Sequence, residues 1–151
     1  MDSGRVVKLL QRQRHDYANH MQVIKGYMEL EMPERAMEYV DSVVRELARE
    51  SRLFHSGPPE VSIRLYELQL WTRDKGICLR FGNLEFDDSA GAVLSKGLTS
   101  IYQVFEDFMI PAGEEEFEVW LDLVEDNDQL GIRLTWLGES GQVTREIVLT
   151  R

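Results

Sequence analysis

His15 is followed by Asp16, Asn19 and Gln22. On a helix, positions i, i+4 and i+7 share a face, so His15, Asn19 and Gln22 line up, with Gln11 one turn earlier. A neutral imidazole is a nucleophile near neutral pH, and one set among short polar groups on a rigid, exposed helix can accept a group from outside. Asp16 stands about 100° farther round the helix, where its carboxylate could orient a ring nitrogen or take its proton.

The element that must hold these residues is a long amphipathic helix. Its apolar stripe runs Val7, Leu10, Tyr17, Met21, Ile24 and Met28, interrupted at Arg14. The helix is expected to start near Ser3 or Gly4, with Ser3 as N-cap, and to reach about Glu31. Pro33 suits the first residue of a second helix running to about Phe54. There Ala36, Val40, Val43, Leu47 and Phe54 form the stripe, widened by Met37, Val44 and Ala48. So short a turn makes an antiparallel hairpin. Each helix buries its stripe on one side only, so a second copy is the economical cover, giving a four-helix bundle from a homodimer.

The run from His15 to Gly26, His-Asp-Tyr-Ala-Asn-His-Met-Gln-Val-Ile-Lys-Gly, resembles the phosphoacceptor helix of the sporulation initiation phosphotransferase B family. It is also similar to the related helical domain of citrate-type sensor histidine kinases. The resemblance implies that His15 carries a phosphoryl group, that the hairpin is a dimer, and that the phosphohistidines face outward from the bundle. Around His15 lie Arg5, Lys8, Arg12 and Arg14. These bases either solvate an exposed face or help to receive an acidic partner and a phosphoryl group. Arg12 and Arg14 are the nearest in sequence.

Gly57-Pro58-Pro59 reads as a linker between a hairpin domain, 1–56, and a second domain, 60–151. After it, Val61 to about Asp74 reads as a helix bearing Ile63, Leu65, Leu68, Leu70 and Trp71, stopped at Lys75-Gly76. Ile77, Leu79 and Phe81 alternate with Cys78 and Arg80 as a strand. A further helix from Ala92 to Met109 ends before Pro111. Three strand-like runs follow, Phe117 to Val124, Leu130 to Leu137 and Val143 to Leu149. Turns at Glu125-Asp126-Asn127-Asp128 and Gly138-Glu139-Ser140-Gly141 suit an antiparallel meander. The fold class is therefore α+β: a helical hairpin, then a small two-layer α/β sandwich whose element order resembles the ATP-binding domain of histidine kinases and their GHKL relatives.

The polar groups of such a nucleotide site are missing. Gly-rich loops hold phosphates, and a side-chain amide or carboxylate places Mg²⁺. Where the resembled family's metal-binding Asn box would put Asn, Val104 and Phe108 stand, and Trp136-Leu137-Gly138-Glu139-Ser140-Gly141 replaces its adenine-recognising Asp-x-Gly-x-Gly. The second domain reads as a degenerate relative that binds no nucleotide. Glu106 and Asp107 read as a solvated helix face, Glu114-Glu115-Glu116 as a turn, and Trp71, Trp120 and Trp136 as packing. His20, about 140° round the helix from His15, reads as a surface or bundle-edge residue rather than a second acceptor, and His55 as the close of the second helix.

Composition narrows the classes. A net charge of -10 leaves no basic face for nucleic acid. The single Cys78 excludes an internal disulfide and fits a reducing compartment. No apolar run approaches the ~20 residues that span a membrane, so a cytoplasmic protein is expected. No zinc-ligand spacing and no Ser beside a base is present.

The function expected from the sequence is a phosphorelay phosphotransferase passing a phosphoryl group between response-regulator aspartates through His15. Asp16 would orient or deprotonate the ring, Asn19 and Gln22 would bond the incoming group or loop, and Arg12 and Arg14 would meet the partner. No cofactor is expected on this chain, with Mg²⁺ supplied by the receiver domain. The rival readings are a sensor histidine kinase core phosphorylated from ATP and a dimeric module that binds response regulators without catalysis.

Overall fold

The computed structural model describes residues 2–55, 57–84, 91–108, 117–126 and 129–149. The chain divides into two compact units, Met1–Arg52 and Leu53–Arg151.

In the first unit, α1 spans Ser3–Glu29 and α2 spans Pro33–Ser51. The N-cap of α1 is Asp2 rather than Ser3: Asp2 is extended, and its Oδ1 accepts from the Gly4 amide at 2.9 Å. Ser3 is already helical, so its hydroxyl stands one position too late for that role. The turn is closed by Met32 N donating to Tyr27 O at 2.9 Å, with Glu31 in the left-handed region at φ 57. Pro33 occupies the first turn of α2, where its missing N–H has no helical partner to lose.

The face of α1 turned toward α2 lies next to the expected stripe rather than on it. Leu9, Gln13, Asp16, His20, Ile24 and Tyr27 are half-buried there. From α2 they meet buried Ala36 and half-buried Tyr39, Val40 and Val43. His20 Nδ1 lies 2.8 Å from the Tyr39 hydroxyl across the hairpin, and Tyr39 stacks at a tilt against both His20 and Tyr27. The residues of the expected stripe, Val7, Leu10, Tyr17, Met21 and Met28, are exposed, as are Met37, Val44 and Leu47 of α2. α1 has no buried residue and α2 has one.

α2 stops at Ser51, short of the expected Phe54. Arg52–His55 tighten into a 3-10 turn that places Leu53 at 1% exposure. Phe54 accordingly leaves the α2 stripe and packs edge-on against Tyr66 at 5.3 Å, and His55 belongs to the 3-10 turn.

The second unit continues with α3, Pro59–Asp74, which begins two residues earlier than the periodicity suggests because Pro59 is itself the first helical residue. Gly76, at φ 81, ends the turn after α3 in a conformation that an L side chain resists. There follow β1 (Ile77–Phe81), α4 (Gly91–Glu106), β2 (Phe117–Asp126), β3 (Gln129–Gly138) and β4 (Gly141–Leu149). The sheet order is β1-β2-β3-β4. β1 runs parallel to β2, which requires a crossover, and α4 lies on it; the remaining pairs are antiparallel. The register pairs Leu121 with Leu134 and Ile132 with Ile147. Alternate residues Ile77, Leu79, Val119, Leu121, Leu123, Leu130, Ile132 and Leu134 are buried with Leu65, Leu68, Leu94, Leu98, Ile101 and Phe105 of the helices, making a two-layer core.

The outer face of the sheet is polar. Arg133 pairs with Glu146 at 2.7 Å, and Trp120, 43% exposed, donates from Nε1 to Glu118 Oε1 at 2.8 Å. Trp120 is thus a surface residue rather than core. Glu139 and Ser140 form the tight turn between β3 and β4. α4 ends at Glu106, with Asp107 and Phe108 already outside the helix, short of the expected Met109, and Glu125 and Asp126, expected in a turn, are the last residues of β2. The expected turn residues Asn127 and Asp128 and the Glu114-Glu115-Glu116 run lie outside the described residues.

Gly97 marks the closest approach of α4 to β4: a Cβ there would enter the side chain of Leu149. Gly97→Val should therefore destabilise the second unit by about 1–3 kcal/mol, read as a lower midpoint in urea. An unchanged midpoint would mean that Leu149 swings aside freely.

Candidate functional site

His15 sits in the middle of α1, more than three turns from either helix end, so its backbone is fixed by helical hydrogen bonds on both sides. Its side chain is 70% exposed. At about 100° per residue it points some 140° away from the centre of the exposed apolar stripe and a similar angle from the face that meets α2. The ring therefore projects from the hairpin's bare side, reachable by a large partner.

Two neighbours address the same ring nitrogen. Asn19 Nδ2 lies 3.4 Å from His15 Nδ1, and Asp16 Oδ1 lies 3.6 Å from it. Helical spacing explains both: Asn19 is one turn on, and Asp16 is the adjacent residue. Asp16 is 25% exposed because it stands at the edge of the α2-facing side. Arg12, one turn before Asp16, brings Nε to 3.6 Å from the same Asp16 oxygen. Both contacts are at Nδ1, which leaves Nε2 as the other nitrogen of a side chain that is 70% exposed.

The remaining expected partner residues fall on either side. Gln22 is exposed two turns along the His15 face, whereas Arg14 is exposed about 100° to the other side of His15, near the apolar stripe. The structure thus brings together Arg12, His15, Asp16 and Asn19 but sets Arg14 apart from them. The residue that the sequence reading underrated is His20. Its bond to Tyr39 ties the two helices one turn and a half beyond His15. The signal was available, since His20 continues the 3-4 series Leu9, Gln13, Asp16, His20 that faces α2.

In the second unit, Val104 is buried, and Phe108 contacts Phe105, Phe117 and Trp136 with ring centroids at 5.4, 5.7 and 4.6 Å. Among the described residues, no group of three or more His, Cys, Asp and Glu is placed to hold a metal ion, and no helix is long and apolar enough to cross a membrane.

The hairpin thus presents an exposed histidine with an adjacent carboxylate on its first helix. Residues 1–56 match the model of the family described as sensor kinase SpoOB-type, alpha-helical domain, the family that the His15–Gly26 motif resembles. No curated protein matches the chain.

Proposed function

We propose that the protein is a phosphorelay phosphotransferase in which His15 Nε2 takes a phosphoryl group from the aspartyl phosphate of one receiver domain and returns it to the aspartate of another. The observation that carries this reading is the geometry at His15: Nδ1 is flanked by Asp16 and Asn19, while the ring is otherwise open. A carboxylate can only accept, so the Asp16 contact favours the tautomer with hydrogen on Nδ1 and a lone pair on Nε2. Half a turn of the Asn19 amide presents its oxygen to the same N–H. Nε2 then attacks phosphorus, the P–O bond to the receiver's carboxylate breaks as the P–N bond forms, and the positive charge that develops on the ring lies beside Asp16. The second transfer is the reverse. Such a step needs placement above all, with Mg²⁺ and further charge held on the receiver. Gln22 and Arg14 would meet the incoming domain.

The same reading makes the hairpin a dimer. Two helices with a single buried residue between them cannot offset their ordering entropy alone. The exposed stripes of α1 and α2 lie on one side of the hairpin, where a second copy would close a four-helix bundle and leave His15 outside. A cytoplasmic setting follows from the proposed partners.

The second reading, a sensor histidine kinase core, is favoured by the family's description and would require the second unit to hold ATP. Two features argue for the phosphotransferase instead. Phe108 and Val104 are packed among apolar side chains, and the second unit carries the whole net charge. Met1–Arg52 has nine Lys and Arg against nine Asp and Glu, leaving eight against eighteen beyond it, an unfavourable field for a triphosphate. A phosphorylated receiver and, separately, labelled ATP with Mg²⁺ test this. Acid-labile label arriving from the receiver alone is the expected result; label from ATP alone would make the protein a kinase, and label from neither would leave a binding module.

A further inference from the structure

We propose that Arg12 is a positioning residue for His15, acting through the Asp16 carboxylate, rather than part of the surface that meets the partner. This rests on His15 being the phosphoacceptor. The Arg12 Nε and His15 Nδ1 atoms stand at the same distance, 3.6 Å, from one and the same oxygen, Asp16 Oδ1. Arg12 and Asp16 are each about two-thirds or more covered, whereas His15 is 70% exposed. The guanidinium is thus laid along the helix rather than extended toward solvent.

The spacing accounts for this arrangement. Arg12 and Asp16 are i and i+4 on α1, the separation at which an arginine and a carboxylate meet on a helix surface. Asp16 and His15 are adjacent, so unaided the carboxylate would divide its time between the imidazole and water. A planar guanidinium anchored one turn back restricts the carboxylate to the rotamer that faces Nδ1. It also offsets the carboxylate's charge beside the ring. Arg12 touches neither the phosphoryl group nor the receiver in this account.

A small phosphoryl donor separates positioning from docking. Phosphoramidate phosphorylates an imidazole directly, the P–N bond to ammonia breaking as the bond to Nε2 forms, and it presents no protein surface. The wild type, Arg12→Ala, Arg12→Gln and Arg12→Lys would be compared with phosphoramidate and with a phosphorylated receiver, with circular dichroism confirming an intact helix. Arg12→Ala and Arg12→Gln should lose about tenfold in rate with both donors, with the KM for the receiver unchanged, and Arg12→Lys should recover most of the loss. A loss confined to the receiver reaction and expressed in KM would overturn the proposal and make Arg12 a docking residue. Unchanged rates with both donors would also overturn it. If the wild type takes label from neither donor at His15, the phosphoacceptor reading itself has failed, which is distinguishable from either result.

Discussion

His15→Gln should carry no acid-labile phosphoryl label from any donor while melting within about 0.5 kcal/mol of the wild type. Gln retains helix propensity and polarity but has no nucleophilic ring nitrogen. The native side chain is 70% exposed and its recorded contacts, at 3.4 and 3.6 Å, are long ones, so little packing is lost with it. Label counting after gel separation at alkaline pH, paired with a thermal melt, reads both halves. Label retained on the variant would move the acceptor elsewhere, and His20 would be examined next. A collapse of the melt would instead show that His15 holds the hairpin together, contrary to its orientation away from α2.

If the proposed four-helix bundle forms, Met21→Glu should convert it from dimer to monomer. Met21 is 61% exposed within one chain and lies at the centre of the α1 stripe, between Tyr17 and Met28. In a symmetric bundle the substitution places two carboxylates, one from each copy, in an apolar seam, and an unpaired charge there costs several kcal/mol. A loss of ~3 kcal/mol weakens association about a hundredfold, which sedimentation velocity across a concentration series resolves. A wild type that sediments as a monomer would remove the bundle from the reading. A variant that remains dimeric would place the interface off this face.

Much of the architecture could be read from residue patterns, because the signals are local. Pro33 and Pro59 each begin a helix, Gly76 ends a turn with a positive φ, and the alternation in Phe117 to Leu149 marks three strands. The misreadings arose where two local signals competed or where a tertiary contact decided. Asp2 and Ser3 are both good caps, and only backbone geometry separates them. Phe54 continues the α2 period, yet Leu53 is drawn into the core of the second unit and the helix tightens before reaching it. The stripe of α1 was visible, but a helix in a hairpin has two neighbours to satisfy. Leu9, Gln13, Asp16 and His20, too polar to draw notice as a stripe, are the ones that meet α2. At His15 the i+4 pairing with Asn19 follows from spacing alone. The preference of Arg12 over Arg14 for Asp16 follows from spacing too, once i+4 is given more weight than adjacency in sequence.

The openness around the imidazole also bears on how long a signal can persist. A phosphohistidine enclosed by a lid is kept from water. Here the contacts of Asp16 and Asn19 are both at Nδ1 and the side chain is 70% exposed, so a phosphoryl group on Nε2 would meet solvent. Its persistence would be set by the intrinsic lability of the P–N bond and by the supply of acceptors. On the proposed phosphotransferase reading the hairpin would work as a conduit, its occupancy following the balance of donors and acceptors at each moment and decaying when the donors fall silent.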